Sequence, residues 1–126
     1  MNAKSIEELH VYQKALKAAD AVSAILKRPC FNRDARLREQ LGASSGAVPA
    51  HMAEGFGLST DRLFAQCLYR SRGESKETRA HLLVARGRDY VAADECNALC
   101  AAYEEIERMT TSLISHLKRE DRRDRG

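Results

Sequence analysis

Val48-Pro49-Ala50-His51-Met52-Ala53-Glu54-Gly55-Phe56-Gly57 is the stretch on which the fold turns. It holds one of the two prolines and two of the seven glycines, with a carboxylate set between apolar residues. It reads either as a loop holding a site or as the second half of a helix. The residues upstream decide between the two. Leu37, Leu41, Ser44, Val48, Met52 and Phe56 recur at steps of three and four, which is one face of a helix. The pattern predicts a helix over about 33–56 that bends at Pro49, where a backbone donor is lost and the carbonyl four residues earlier is crowded. Gly42-Ala43-Ser44-Ser45-Gly46-Ala47 gives it a slim centre that another helix can approach. Gly55 and Gly57 are expected to stop it through a left-handed cap.

Moving outward, the same period appears three more times. Ile6, Leu9, Tyr12, Leu16, Ala19, Val22 and Leu26 mark a helix over about 5–28, closed by Pro29. Phe64, Leu68, Ser71, Ser75, Thr78, Leu82 and Ala85 alternate four and three and mark a helix over 60–87. Its central hydroxyls can bond back to their own helix. Cys96, Leu99, Tyr103, Ile106, Thr110, Leu113 and Leu117 form a heptad-like seam over 93–118. Glu104, Glu105 and Glu107 read there as a solvated face. Phe31 is expected to pin the first connector, and Tyr90 the turn at Gly87-Arg88-Asp89-Tyr90-Val91. No period-two strand pattern occurs. The chain of 126 residues therefore predicts an all-α fold, an antiparallel up-down-up-down four-helix bundle over 1–118. Residues 119–126 are all charged except the terminal glycine and predict a disordered tail.

Charge is unevenly spread. Residues 59–91 carry seven Lys and Arg against four Asp and Glu, whereas 92–126 carry six against eight. The middle of the chain thus presents Arg62, Arg70, Arg72, Lys76, Arg79, Arg86 and Arg88 as candidate phosphate contacts. The planar guanidinium fork grips two oxygens at once. The alternative is a solvated face balanced by Asp61, Glu74 and Glu77. Glu54 and Glu77 are the two carboxylates to watch. Each either points to solvent, or is partly buried and bonded to Ser44, Ser45, Ser71, Ser75 or an arginine.

Catalytic and metal chemistry finds little support. Glu7-x-x-His10 has di-metal spacing, but His51, His81 and His116 supply no second pair. No nucleophile elbow, phosphate loop or dinucleotide fingerprint is present. Cys67, Cys96 and Cys100 fall at apolar helical positions and read as small buried hydrophobes. The sequence predicts no enzyme, cofactor or metal. With no apolar leader among the first twenty residues and no apolar run near 18, the expected location is cytoplasmic.

Three motifs carry a family resemblance. Leu9-His10-Val11-Tyr12-Gln13-Lys14-Ala15-Leu16 looks like an "L-x-V-W-Q-K-A" opening, with Tyr12 in place of tryptophan. The stretch 48–57 resembles "I-P-x-N-I-A-E-G-x-G", with His51 in place of asparagine. Phe64 through Glu77 resembles "F-x-x-F-L-x-x-A-x-G-S-x-x-E" after a small shift, and Gly87 to Tyr90 stands where "L-G-Y" occurs. Together, over about residues 5–118, these resemble the four-helix-bundle family that includes the 23S rRNA intervening-sequence proteins. The resemblance implies a homopentameric ring with Pro49 inside a continuous helix. It gives Tyr12, Pro49, Glu54, Gly55, Glu77 and Tyr90 structural roles. It also implies a non-enzymatic protein whose relatives include a basic pentamer that binds nucleic acid and a reverse transcriptase. The expected partners are therefore further copies of the chain, RNA or DNA, and a protein such as a reverse transcriptase. Nucleic-acid binding through helix three is the first expectation, and a protein-interaction scaffold the alternative.

Overall fold

The computed structural model describes residues 3–125. They form four helices, α1 (His10–Leu26), α2 (Ala35–Phe56), α3 (Asp61–Gly87) and α4 (Ala93–Arg125), with single 3-10 turns at Ile6–Glu8 and Pro29–Arg33. Among the described residues there is no strand. Each helix packs on its neighbours in the chain, and α1 also packs on α4. All four therefore share one core.

α2 runs unbroken through Pro49, as the period-3.6 pattern predicts. Its Asp34 cap accepts from the Leu37 amide at 3.3 Å. Leu37, Leu41, Val48 and Met52 are buried along the expected face. The glycines at its end act differently from expectation. Among the described residues no glycine has a positive φ, and the helix closes at Gly57 with φ −78°. Gly55 is instead a place of close approach. A Cβ there would lie 2.7 Å from both the Cys67 Cβ and the Phe64 ring. The missing side chain lets α3 lie directly on α2.

The expected seam of α3 is buried in full, from Phe64 to Ala85. Only Thr78 bonds back to its own helix, to the Glu74 carbonyl at 2.9 Å. The seam hydroxyls also tie helices together. Ser71 donates to the Val48 carbonyl beside Pro49 at 2.7 Å, and Thr78 lies 2.9 Å from Ser44 Oγ. α3 ends in a Schellman motif, in which the Tyr90 amide donates to Ala85 and the Asp89 amide to Arg86. Asp89 holds the left-handed position at φ 63°. This turn sets the Tyr90 ring 5.1 Å from that of fully buried Phe31.

Two further expectations fail. The buried stripe of α1 is Val11, Ala15, Ala18, Val22 and Ile25, while Leu16 is 41% exposed and Tyr12 only half-buried. Val11, Ala15, Ala18, Val22 and Ile25 also recur at four and three, and it is this second regular stripe that α1 turns inward. The predicted disordered tail is also absent. α4 is 33 residues long and stays helical through 119–125, whereas Gly126 lies outside the described residues. Arg123–Glu120 at 3.1 Å and Arg125–Asp121 at 3.4 Å pair along this last stretch.

Candidate functional site

The α3–α4 seam carries the chemistry. From α3, Arg72, Lys76 and Arg79 recur at steps of four and three and so share one side of the helix. α4 faces them with Glu104, Glu107, Arg108, Thr111 and Ser112, enclosing an open hollow of about 700 Å³. Farther along the same seam a second hollow, of about 380 Å³, opens toward the end of α4. Asp61, Arg62, Ala65, Gln66 and Tyr69 line it from α3, and Lys118, Asp121, Arg122 and Arg125 from α4. Tyr69 marks the boundary. The Arg72 guanidinium lies 5.0 Å and the Lys118 ammonium 4.9 Å from its ring centroid. Along both hollows eight cations face four carboxylates, a larger surplus than the +3 of the whole chain. From Arg62 to Arg79 this surface is about 26 Å long, at 1.5 Å per helical residue.

Glu107 anchors one end. It is buried, accepting from Arg79 Nε at 2.8 Å and Arg79 Nη2 at 2.7 Å. Ser75 Oγ donates to it at 2.7 Å and Lys76 Nζ at 3.3 Å. Burial works to raise the pKa of this carboxyl. The hydrogen bonds from Arg79, Ser75 and Lys76 outweigh burial and hold it below the ordinary carboxylate value. Arg79, whose own pKa is raised chiefly by that bond, is therefore locked in place. Arg72 stays near the surface and donates to Thr111 Oγ1 at 2.9 Å.

Of the seven basic candidates, Arg62, Arg72, Lys76 and Arg79 come together on this seam. The other three do not. Arg70 turns toward α2, 3.8 Å from Glu54. Arg86 is exposed in the last turn of α3. Arg88 donates to Asp34 at 2.6 Å, joined there by the Tyr90 hydroxyl at 3.1 Å. Burial pushes the Asp34 carboxyl up, but these donors and the Leu37 amide pull it below its ordinary value. Arg88 and Tyr90 thus clamp the end of α3 to the start of α2.

The buried carboxylate is neither of the two singled out. Glu54 and Glu77 are both more than half exposed. Glu77 lies 3.8 Å from His81 and stands beside Glu74, whose pKa is raised by burial and then by the Glu77 charge. In the sequence Glu107 reads as solvated because it falls outside the main heptad. Yet Tyr103, Glu107, Thr110, Ile114 and Leu117 also recur at four and three, and all are buried. That second stripe was the available signal. Tyr69, Arg108, Lys118, Arg122 and Arg125 were missed because exposed cations and a lone tyrosine carry no periodic signature.

Among the described residues no three metal-ligating side chains converge, and no helix is long and apolar enough to cross a membrane.

Comparison with known proteins is consistent with this architecture. A crystal structure of a protein of unknown function from the S23 ribosomal protein family of Bacteroides thetaiotaomicron superposes with a TM-score of 0.76 at 20% identity, covering 82% of this chain and 97% of that one. No protein of curated function matches the chain. The family model for 23S rRNA-intervening sequence proteins matches residues 7–112. The chain therefore belongs to the 23S rRNA-intervening sequence protein family.

Proposed function

We propose that this protein is a non-enzymatic, homo-oligomeric nucleic-acid-binding protein that holds phosphates along the α3–α4 seam. The observation that carries the reading is the concentration of eight cations against four carboxylates in two adjoining hollows. Arg62, Arg72 and Lys76 are the phosphate contacts on α3, with Arg108 and Lys118 on α4. Arg79, held in its fork by Glu107, fixes the shape of the groove.

The helices run up, down, up and down. In support, positions that rise along α3 meet positions that fall along α2, Phe64 against Gly55, Ser71 against Val48 and Thr78 against Ser44. Likewise Tyr69 meets Lys118, Arg72 meets Thr111 and Arg79 meets Glu107 across α3 and α4. The assembled form is a homopentameric ring, as the family resemblance implies. A groove of about 250 Å³ between α1 and α4, with Ala18, Ala21, Leu99, Ala102 and Ile106 in its lining, supports contact between copies there. Ring symmetry repeats each basic seam and turns a modest patch into a strong field.

The test is light scattering of the full chain at low salt, with and without a short RNA. The expected mass is five times the 14.1 kDa chain, rising when RNA is added. A monomer throughout would remove the ring. A mass unchanged by RNA would favour the alternative, a scaffold for a protein partner such as a reverse transcriptase. That scaffold keeps its partner when Arg62, Arg72 and Lys76 are neutralised.

A further inference from the structure

We propose that Tyr69 and the cations around it form a subsite for an unpaired nucleobase with its flanking phosphates, so that the seam selects single-stranded nucleic acid over duplex. This inference rests on the reading of the seam as a nucleic-acid surface and names the form of polymer it takes.

Four observations lead to it. Tyr69 is 39% exposed, a large aromatic ring left at the surface midway along a basic groove. Phosphate binding alone has no use for such a ring, whereas an unpaired base stacks on it regardless of sequence. The ring also holds the Arg72 and Lys118 charges about 5 Å from its centroid on the two sides of the boundary between hollows. Lys118 is exposed on a flexible four-carbon stem, so its ammonium can swing from the ring to a phosphate and open a face for the base.

The adjoining hollow has the right lining and size. Its 380 Å³ lies within the range of small-ligand pockets. Ala65 and the Tyr69 ring give it an apolar wall, the Gln66 amide can meet a base edge, and Arg62, Arg122 and Arg125 rim it with charge. A duplex keeps its bases stacked inside and cannot put one into this recess. Finally, Lys118, Arg122 and Arg125 lie beyond residue 112, where the family match ends. The extension of α4 supplies these three cations, while Tyr69, Arg62 and Gln66 lie within the matched region.

The experiment is fluorescence anisotropy of the full-length protein at low salt. The probes are a labelled oligouridine RNA of about 15 nucleotides and a duplex of equal length. Wild type is expected to bind the single strand more tightly than the duplex. Tyr69→Leu, at an exposed position, is expected to weaken single-strand binding about tenfold and duplex binding less than twofold, with an unchanged salt slope. Tyr69→Phe keeps the ring and restores binding. Replacing Lys118 and Arg122 together with glutamine lowers the salt slope by about two. The proposal is overturned if duplex binds as tightly as single strand, or if Tyr69→Leu weakens both probes alike or neither. Salt-dependent binding with an indifferent Tyr69 removes the subsite and leaves the seam standing. No binding of either probe by wild type removes both.

Discussion

Replacing Glu107 with alanine should be the most damaging single change on the basic seam. The carboxylate is buried and accepts four hydrogen bonds, from both arms of the Arg79 fork, from Ser75 and from Lys76. Removing one partner of a fully buried ion pair costs about 3–5 kcal/mol, because the remaining charge is stranded. Arg79 is 28% exposed and Lys76 more so, so water can partly rehydrate them. Ser75 keeps a second acceptor, the Tyr103 carbonyl at 3.3 Å. Those two facts place the loss at about 2–3 kcal/mol, which for a domain of this size is roughly 10 °C in Tm. Urea and thermal unfolding at fixed protein concentration would measure it.

The effect depends on pH with a definite sign. The folded-state pKa of Glu107 lies below the ordinary carboxyl value of 4.5. Its stabilisation is therefore complete above that value and is lost as the pH falls through the lower folded value. Wild type and Glu107→Ala should differ at pH 7 and converge in acid. Glu107→Gln keeps the shape, so its loss should be about half as large, while one added net positive charge raises the salt slope of RNA binding. A loss under about 0.5 kcal/mol at pH 7, or a gap that does not narrow in acid, would refute this account of the carboxylate.

Other substitutions probe the frame. Gly55→Ala puts a Cβ 2.7 Å from Cys67 and Phe64 and should cost about 1–2 kcal/mol after its helix-propensity gain, read by urea unfolding. Gly46→Ala meets nothing within 4 Å and should stabilise by about 0.5–1 kcal/mol in the same assay. Arg28 forks onto Glu95, and that hydrogen bond first, then the Ala92 amide, hold the Glu95 carboxyl down to about 2 from 4.5. Arg28→Gln should therefore lower stability at neutral pH and flatten the loss of stability between those two values, measured as urea midpoint against pH. Asp89→Gly relieves the left-handed φ of 63° and should add about 0.5–1 kcal/mol to thermal stability.

How much of this was legible in the sequence depended on side-chain size and charge. The seam of α3 could be read residue by residue, because large apolar groups at its ends framed hydroxyls in strict register. α1 was read about one position out of phase. Leu16 and Tyr12 are larger than Ala15 and Ala18 and draw the eye, but the equally regular set Val11, Ala15, Ala18, Val22 and Ile25 is the buried face. Gly55 looked like a helix stop, since nothing local reveals that Phe64 and Cys67 press on it. Glu107 was hidden for a related reason. Its donors sit 28 to 32 positions earlier on another helix, and alone it is an ordinary charged residue. The last two turns of α4 carry no apolar residue, so periodicity is blind there. Ion pairs run along them on α4, and they wall the second hollow opposite α3.

If the α3–α4 seam binds a polyanion, RNA affinity must fall with salt. Anisotropy titrations of wild type and of a variant with Arg72 and Lys118 changed to glutamine, from about 50 to 200 mM salt, give the slope of log K against log salt. A steep negative slope is expected for wild type, shallower by about two in the variant. Salt-independent affinity, or a slope the double variant leaves unchanged, would contradict polyanion binding at the seam.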